Sequence, residues 1–196
     1  MGNNNNSQAR QPVIPGKSQL IEKNKMPWGL FLLEGPAGVG KTMYCRQFIA
    51  DGLGSGDHCI FISSNLTQSQ FHDLFDPIDT GAKIKFTNPF QVAAAKPTAS
   101  KLSAVIRDIR HFIEKTEDSD LEKRPSVRIV VDSLTHILLV HGEKILLKFT
   151  ADLSTTIKDY PAMAICTLST SDQHLQNYLS AFAQGIIEMK LEDHKG

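Results

Sequence analysis

Apolar residues in this chain follow two rhythms. In the runs LFLL (Leu30 to Leu33), CIFIS (Cys59 to Ser63), VRIVV (Val127 to Val131), AMAICTL (Ala162 to Leu168) and GIIEMKL (Gly185 to Leu191), several strands are apolar at nearly every position. Strands covered on both faces, as in a parallel sheet between layers of helices, carry that pattern. Elsewhere the apolar positions fall three and four apart: Leu102, Val105, Ile106, Ile109, Phe112 and Ile113, then Ile145, Leu146, Phe149, Leu153 and Ile157. This spacing lays a single apolar stripe along an α-helix. Further helices are expected from Thr42 to about Leu53, from Gln68 to about Phe75, and over DQHLQNYLSAF. Strands alternating with helices imply right-handed crossovers and an α/β fold, a mostly parallel doubly wound sheet flanked by helices. The least regular stretch is Asp76 to Ala99, in which KIKF reads as a short strand. Residues 1–16, with the tract Asn3 to Asn6 and two prolines, read as a flexible polar segment ahead of a single domain spanning 17–196.

Between the first strand and the first helix lies GPAGVGKT: Gly35, Pro36, Ala37, Gly38, Val39, Gly40, Lys41 and Thr42. It satisfies the phosphate-loop pattern G-x-x-x-x-G-K-S/T with the strand before and the helix after that the pattern requires. The glycines let successive backbone N–H groups turn inward around a polyphosphate, and the helix start turns its positive dipole end toward the same anion. Lys41 adds a charge for the β- and γ-phosphates, and the Thr42 hydroxyl is placed to ligate Mg²⁺. A second metal anchor is expected at the end of a buried strand, and RIVVDS supplies Asp132 there. The alternative for Asp132 is a cap on the helix that follows.

Composition narrows the partners. The 21 basic and 21 acidic side chains cancel, so no global field draws in nucleic acid or an anionic membrane. Cys45, Cys59 and Cys166 are isolated in apolar surroundings, without paired CxxC spacing, which reads as buried reduced thiols and not as a metal site. The polar start lacks a signal-peptide core, and no run of about 18 apolar residues occurs; a cytoplasmic protein off the membrane is expected. Guanine specificity is not indicated, because the lone Asn-Lys pair, Asn24 and Lys25, precedes the loop.

FLLEGPAGVGKT, RIVVDSLTHIL, CTLSTSD and AQGIIEMKL together resemble the RecA-superfamily P-loop ATPases, and within them the KaiC-like branch, from about Pro27 to Leu191. The resemblance implies a RecA-like core, ATP and Mg²⁺ as ligands, and a nucleotide closed between subunits of a homo-oligomeric ring or short filament. It carries to Gly35 through Thr42, to Asp132 and Ser133, and to Thr170 and Ser171 as γ-phosphate sensors. Thr170 and Ser171 read equally well as the N-cap of the following helix. No arginine follows Arg128, so Lys190 on the last strand is the first choice for a cation reaching a neighbouring subunit.

The sequence departs from the family at one point. Many members end the second strand with glutamates that polarise the attacking water; here Ser64 and Asn65 take those places. Loss of a general base removes about 10²- to 10⁴-fold in rate, and Asp172 is the candidate substitute. The expected function is a nucleotide-dependent regulatory switch with weak or slow ATPase activity. The alternative is an active ATPase or small phosphotransferase drawing a non-standard base from residues 64–99. The stretch between the last two strands, STSDQHLQNYLSAFAQ, holds no lysine or arginine, so direct DNA binding by this core is not expected. A protein partner is left open.

Overall fold

A computed structural model describes residues 28–75, 83–89, 99–116, 126–169 and 172–191. Six strands carry the framework: β1 (Gly29–Glu34), β2 (His58–Ser63), β3 (Ile84–Thr87), β4 (Val127–Asp132), β5 (Ala162–Leu168) and β6 (Gly185–Glu188). They form one sheet in the order β3-β2-β4-β5-β1-β6. Every neighbouring pair is parallel. The connecting helices are α1 (Lys41–Gly54), α2 (Gln68–Phe75), α3 (Ala99–Thr116), α4 (Leu134–His141), α5 (Glu143–Ile157) and α6 (Gln173–Ser180).

The sheet order explains the two apolar rhythms. Strand β5 lies between β4 and β1 and all seven of its residues are buried, as a strand flanked by strands and covered on both faces must be. On one face Leu30, Leu32, Ile60, Ile62, Ile129 and Val131 meet the stripes of α3 and α5, including Ile109, Leu146 and Leu153. On the other, Phe31, Leu33, Phe61, Val130 and Ile165 meet Phe48 and Ile49 of α1 and Phe71 and Phe75 of α2. The edge strands differ: β6 alternates half-buried and exposed residues and ends at Glu188, short of the Leu191 expected from the apolar run. Its neighbour β1 ends at Glu34, so the ladder has no partner beyond the bond from Met189 N to Glu34 O, 2.8 Å. KIKF does form a strand, shifted by one residue to Ile84–Thr87.

At the end of the sheet opposite the glycine loop, Arg128 fastens α1 to the strands. Its Nε donates to Asp57 Oδ2 at 2.7 Å and its Nη1 to Phe48 O at 2.8 Å, with the guanidinium 4.9 Å from the Phe48 ring centre. Ser126 donates to the other Asp57 oxygen. All three cysteines are free thiols and buried, as the sequence suggests. Burial pushes the Cys45 and Cys166 thiols well up and that of Cys59 to about 12, which leaves them inert.

Candidate nucleotide site

The carboxyl ends of β1, β4 and β2 bring the loop, the acid and the segment beyond β2 to one edge of the sheet, where open α/β folds bind ligands. Strand β1 runs into the loop, and α1 begins at Lys41 behind Gly40, whose φ of 99° lies in the left-handed region that favours glycine. Gly40 has no side chain to cap the helix, so the first-turn N–H groups are left for an anion. Gly35 is needed for a different reason: a Cβ there would stand 2.6 Å from the backbone oxygen of Met189.

Lys41 is 9% exposed and folds back over its own loop, its Nζ donating to Gly35 O and Pro36 O at 2.7 Å each. Burial lowers the ammonium's pKa, and the Asp132 carboxylate partly offsets this. A bound polyphosphate would favour the charged form further and compete with the two carbonyls for the ammonium. Thr42 Oγ1 donates to Asp132 Oδ2 at 2.9 Å, so two residues 90 positions apart, read from the sequence as the metal pair, touch. Asp132 is 3% exposed, and its other oxygen, Oδ1, accepts from Thr167 Oγ1 at 2.6 Å. Sequence reading missed Thr167; the available signal was a single hydroxyl near the end of an otherwise apolar strand.

The alternative of Asp132 as a helix cap is not what the structure has. Ser133 is the N-cap of α4, its side chain accepting from His136 N at 3.3 Å, while its own N–H donates to Ser64 Oγ at 3.4 Å. Ser64 N donates to Asp132 O at 2.8 Å, which places Ser64 directly beside Asp132. Ser63 Oγ accepts from the N–H groups of Asn65 and Leu66, both at 3.1 Å, and this turn leaves Asn65 exposed. Asp172 is the N-cap of α6, its Oδ1 accepting from His174 N at 2.9 Å and Leu175 N at 3.1 Å. That cap falls one residue later than the Thr170 and Ser171 reading, and both of those residues lie outside the described set. Lys190, expected on the last strand, lies two residues beyond β6 and pairs with Glu188, the last residue of that strand, at 3.1 Å, both side chains exposed.

Glu34, just ahead of the loop, stands opposite Glu188 in the β1–β6 register. Its Oε1 is buried and finds no hydrogen-bond partner among the described residues. Burial, and then the Glu188 charge, raise its pKa.

A hydroxyl and a carboxylate oxygen form an oxygen-only donor set of the kind that holds Mg²⁺ together with phosphate oxygens and waters. Among the described residues no group of three or more His, Cys, Asp or Glu could hold a metal by itself.

A parallel sheet with a phosphate loop at the end of one strand and an acid at the end of the next but one defines a P-loop nucleotide-binding domain. The fold is RecA-like: the crystal structure of the KaiC-like protein PH0186 from the archaeon Pyrococcus horikoshii superposes with a TM-score of 0.69 over 93% of this chain and 80% of that one, at 21% identity. A family model described as "ATPase: KaiC" matches residues 14–196, and the chain belongs to that KaiC ATPase family. Among curated relatives, a UPF0273 protein of Thermotoga maritima is 26% identical over 135 residues, covering 64% of this chain and 55% of that protein. The UPF0273 protein PH0284 of Pyrococcus horikoshii is 25% identical over 135 residues, covering 64% of this chain and 54% of its own. The chain thus spans about half the length of the curated relatives it matches. Among the described residues no helix is long and apolar enough to cross a membrane.

Proposed function

We propose that the protein binds ATP with Mg²⁺ in the loop Gly35 to Thr42 and acts as a nucleotide-dependent switch whose hydrolysis is slow. The observation that carries this reading is the set of internal bonds the nucleotide site makes. Lys41 is held by two loop carbonyls and Thr42 by Asp132. An arriving polyphosphate competes for the ammonium, and Mg²⁺ for the hydroxyl and the carboxylate. Each exchange has two discrete arrangements, which is what a switch requires. The change reaches β2 through the bonds between Asp132, Ser133 and Ser64.

When bound, Mg²⁺ would neutralise charge on the β- and γ-phosphates; Thr42 and Asp132 are the residues that would hold it. Slow turnover follows from the segment after β2, which offers Ser64 and Asn65 where the family's glutamates would polarise water. Asn65 is exposed and can hydrogen-bond a water or the γ-phosphate, but it cannot take a proton as a carboxylate does. The γ-phosphate site is completed, on this reading, by a neighbouring copy of the chain in an ATP-promoted ring or short filament.

Single-turnover and steady-state hydrolysis, run beside light scattering with ATP, ADP and no nucleotide, tests both halves. The expected result is turnover below about 1 s⁻¹, the lower end of the ordinary enzyme range, and a mass that rises with ATP. Faster turnover overturns the slow-switch reading, and a mass that stays monomeric throughout overturns the shared site.

A further inference from the structure

We propose that Thr167 is a positioning residue that sets the protein's Mg²⁺ affinity by fixing one oxygen of the Asp132 carboxylate. The inference rests on the Mg²⁺·ATP reading above and extends it to a residue that touches neither ligand. Asp132 has two carboxylate oxygens and two hydroxyl donors, one for each: Thr42 on Oδ2 and Thr167 on Oδ1.

The two donors differ in what they can do when a metal arrives. Thr42 sits in the first turn of α1 at the mouth of the site, and its hydroxyl is itself a metal ligand on this reading, so its bond to Asp132 is the one given up. Thr167 stays. It is fully buried on β5, fixed by the ladder to Leu33 of β1 on one side and by the Val131–Cys166 pairing with β4 just before it on the other. A β-branched side chain on a strand has a stiff χ1, so its hydroxyl is delivered to Oδ1 at 2.6 Å with little freedom. An O–H···O⁻ bond of that length belongs to the strong, charge-assisted class. It leaves Oδ2 pointing to Thr42, the direction from which the phosphates and the ion enter. Without it, the carboxylate is free to turn and one buried oxygen loses its donor.

A merely structural role for Thr167 predicts lost stability and an unchanged metal affinity in whatever protein remains folded. The test therefore uses the full chain, Mn²⁺ as the probe ion and electron paramagnetic resonance to count free Mn²⁺ in the presence of ATP, each reading taken against ATP and Mn²⁺ without protein because the triphosphate itself binds the ion. Thr167→Val, which keeps the shape and removes the hydroxyl, is expected to weaken Mn²⁺ binding about 10- to 100-fold, the range for removal of a partner behind a metal ligand. ATP affinity in EDTA should stay within about twofold of wild type, because the hydroxyl of Thr167 bonds Asp132 and not a group of the phosphate loop. Thr167→Ser should restore the metal affinity. Should the valine variant fail to fold, Thr167→Cys, a weak donor of similar size, is measured in its place with the same expected weakening. Mn²⁺ binding in the valine or cysteine variant that matches or exceeds wild type overturns the inference and leaves the ATP reading intact. A wild-type protein that binds neither ATP in EDTA nor Mn²⁺ with ATP overturns both.

Discussion

Adding one methyl group at Gly35 should damage fold and site together. A Cβ at this position would lie 2.6 Å from Met189 O, 3.1 Å from Val39 Cγ1 and 3.2 Å from Met189 Cβ. Separations under 3.0 Å essentially never occur for real Cβ atoms, so something must move by about 0.4 Å or more. The Met189 oxygen belongs to backbone just past β6, and the N–H of the same residue is bonded to Glu34 O at 2.8 Å. Retreat of Met189 therefore strains the last bond of the ladder, whereas displacement of Gly35 moves a carbonyl that receives Lys41. Overpacking of this kind costs about 1–3 kcal/mol, and each 1.4 kcal/mol that falls on the binding-competent loop is tenfold in affinity. Urea denaturation of Gly35→Ala should show a loss in that range, and calorimetry an ATP affinity lower by about tenfold or more. Gly54→Ala serves as the control: it ends α1, and a Cβ there meets nothing within 4 Å, so the helix should gain up to about 1 kcal/mol. A Gly35→Ala protein as stable as wild type and equal in ATP affinity would refute the close-approach argument.

Two further outcomes test the parts around the site. Arg128→Met removes the donor to one oxygen of a largely buried Asp57, and with it the bond to Phe48 O; breaking such a pair is expected to cost about 3 kcal/mol, read as a lower urea midpoint, with ATP affinity in the remaining folded protein unchanged. Glu34→Gln should flatten the dependence of stability on pH. The folded-state pKa of Glu34 is raised by burial and then by Glu188, so its favourable contribution is complete below the ordinary glutamate value and is lost as pH rises through the raised one. The wild-type and glutamine midpoints should accordingly draw apart above that window in favour of glutamine, and parallel curves at all pH values would contradict the reasoning.

Much of the architecture was legible because burial on both faces writes itself into a strand as an unbroken apolar run, and α3 and α5 show their stripes directly. The loop and Asp132 were legible because phosphate and metal chemistry needs particular residue types in fixed context. Pairings across the sheet were not. Nothing in VRIVV or AMAICTL tells that Arg128 meets Asp57 or that Thr167 meets Asp132, because register and strand order decide both; a polar residue in an apolar strand marked each position without naming its partner. The alternative readings of Asp132, and of Thr170 and Ser171, as helix caps fell short of the caps found, Ser133 for α4 and Asp172 for α6, because Ser, Thr and Asp all cap well and several stand in a row. The surroundings of Glu34 were not legible for the same reason, because only the β1–β6 register brings Glu188 opposite it.

The most direct test of the central claim is calorimetric titration of ATP with Mg²⁺ into the wild-type protein and Lys41→Ala. The account predicts saturable binding by wild type and a loss of about 10- to 100-fold in the variant, the worth of a hydrogen bond to a charged group at about 1.5–3 kcal/mol. Equal affinity in the two proteins would contradict it.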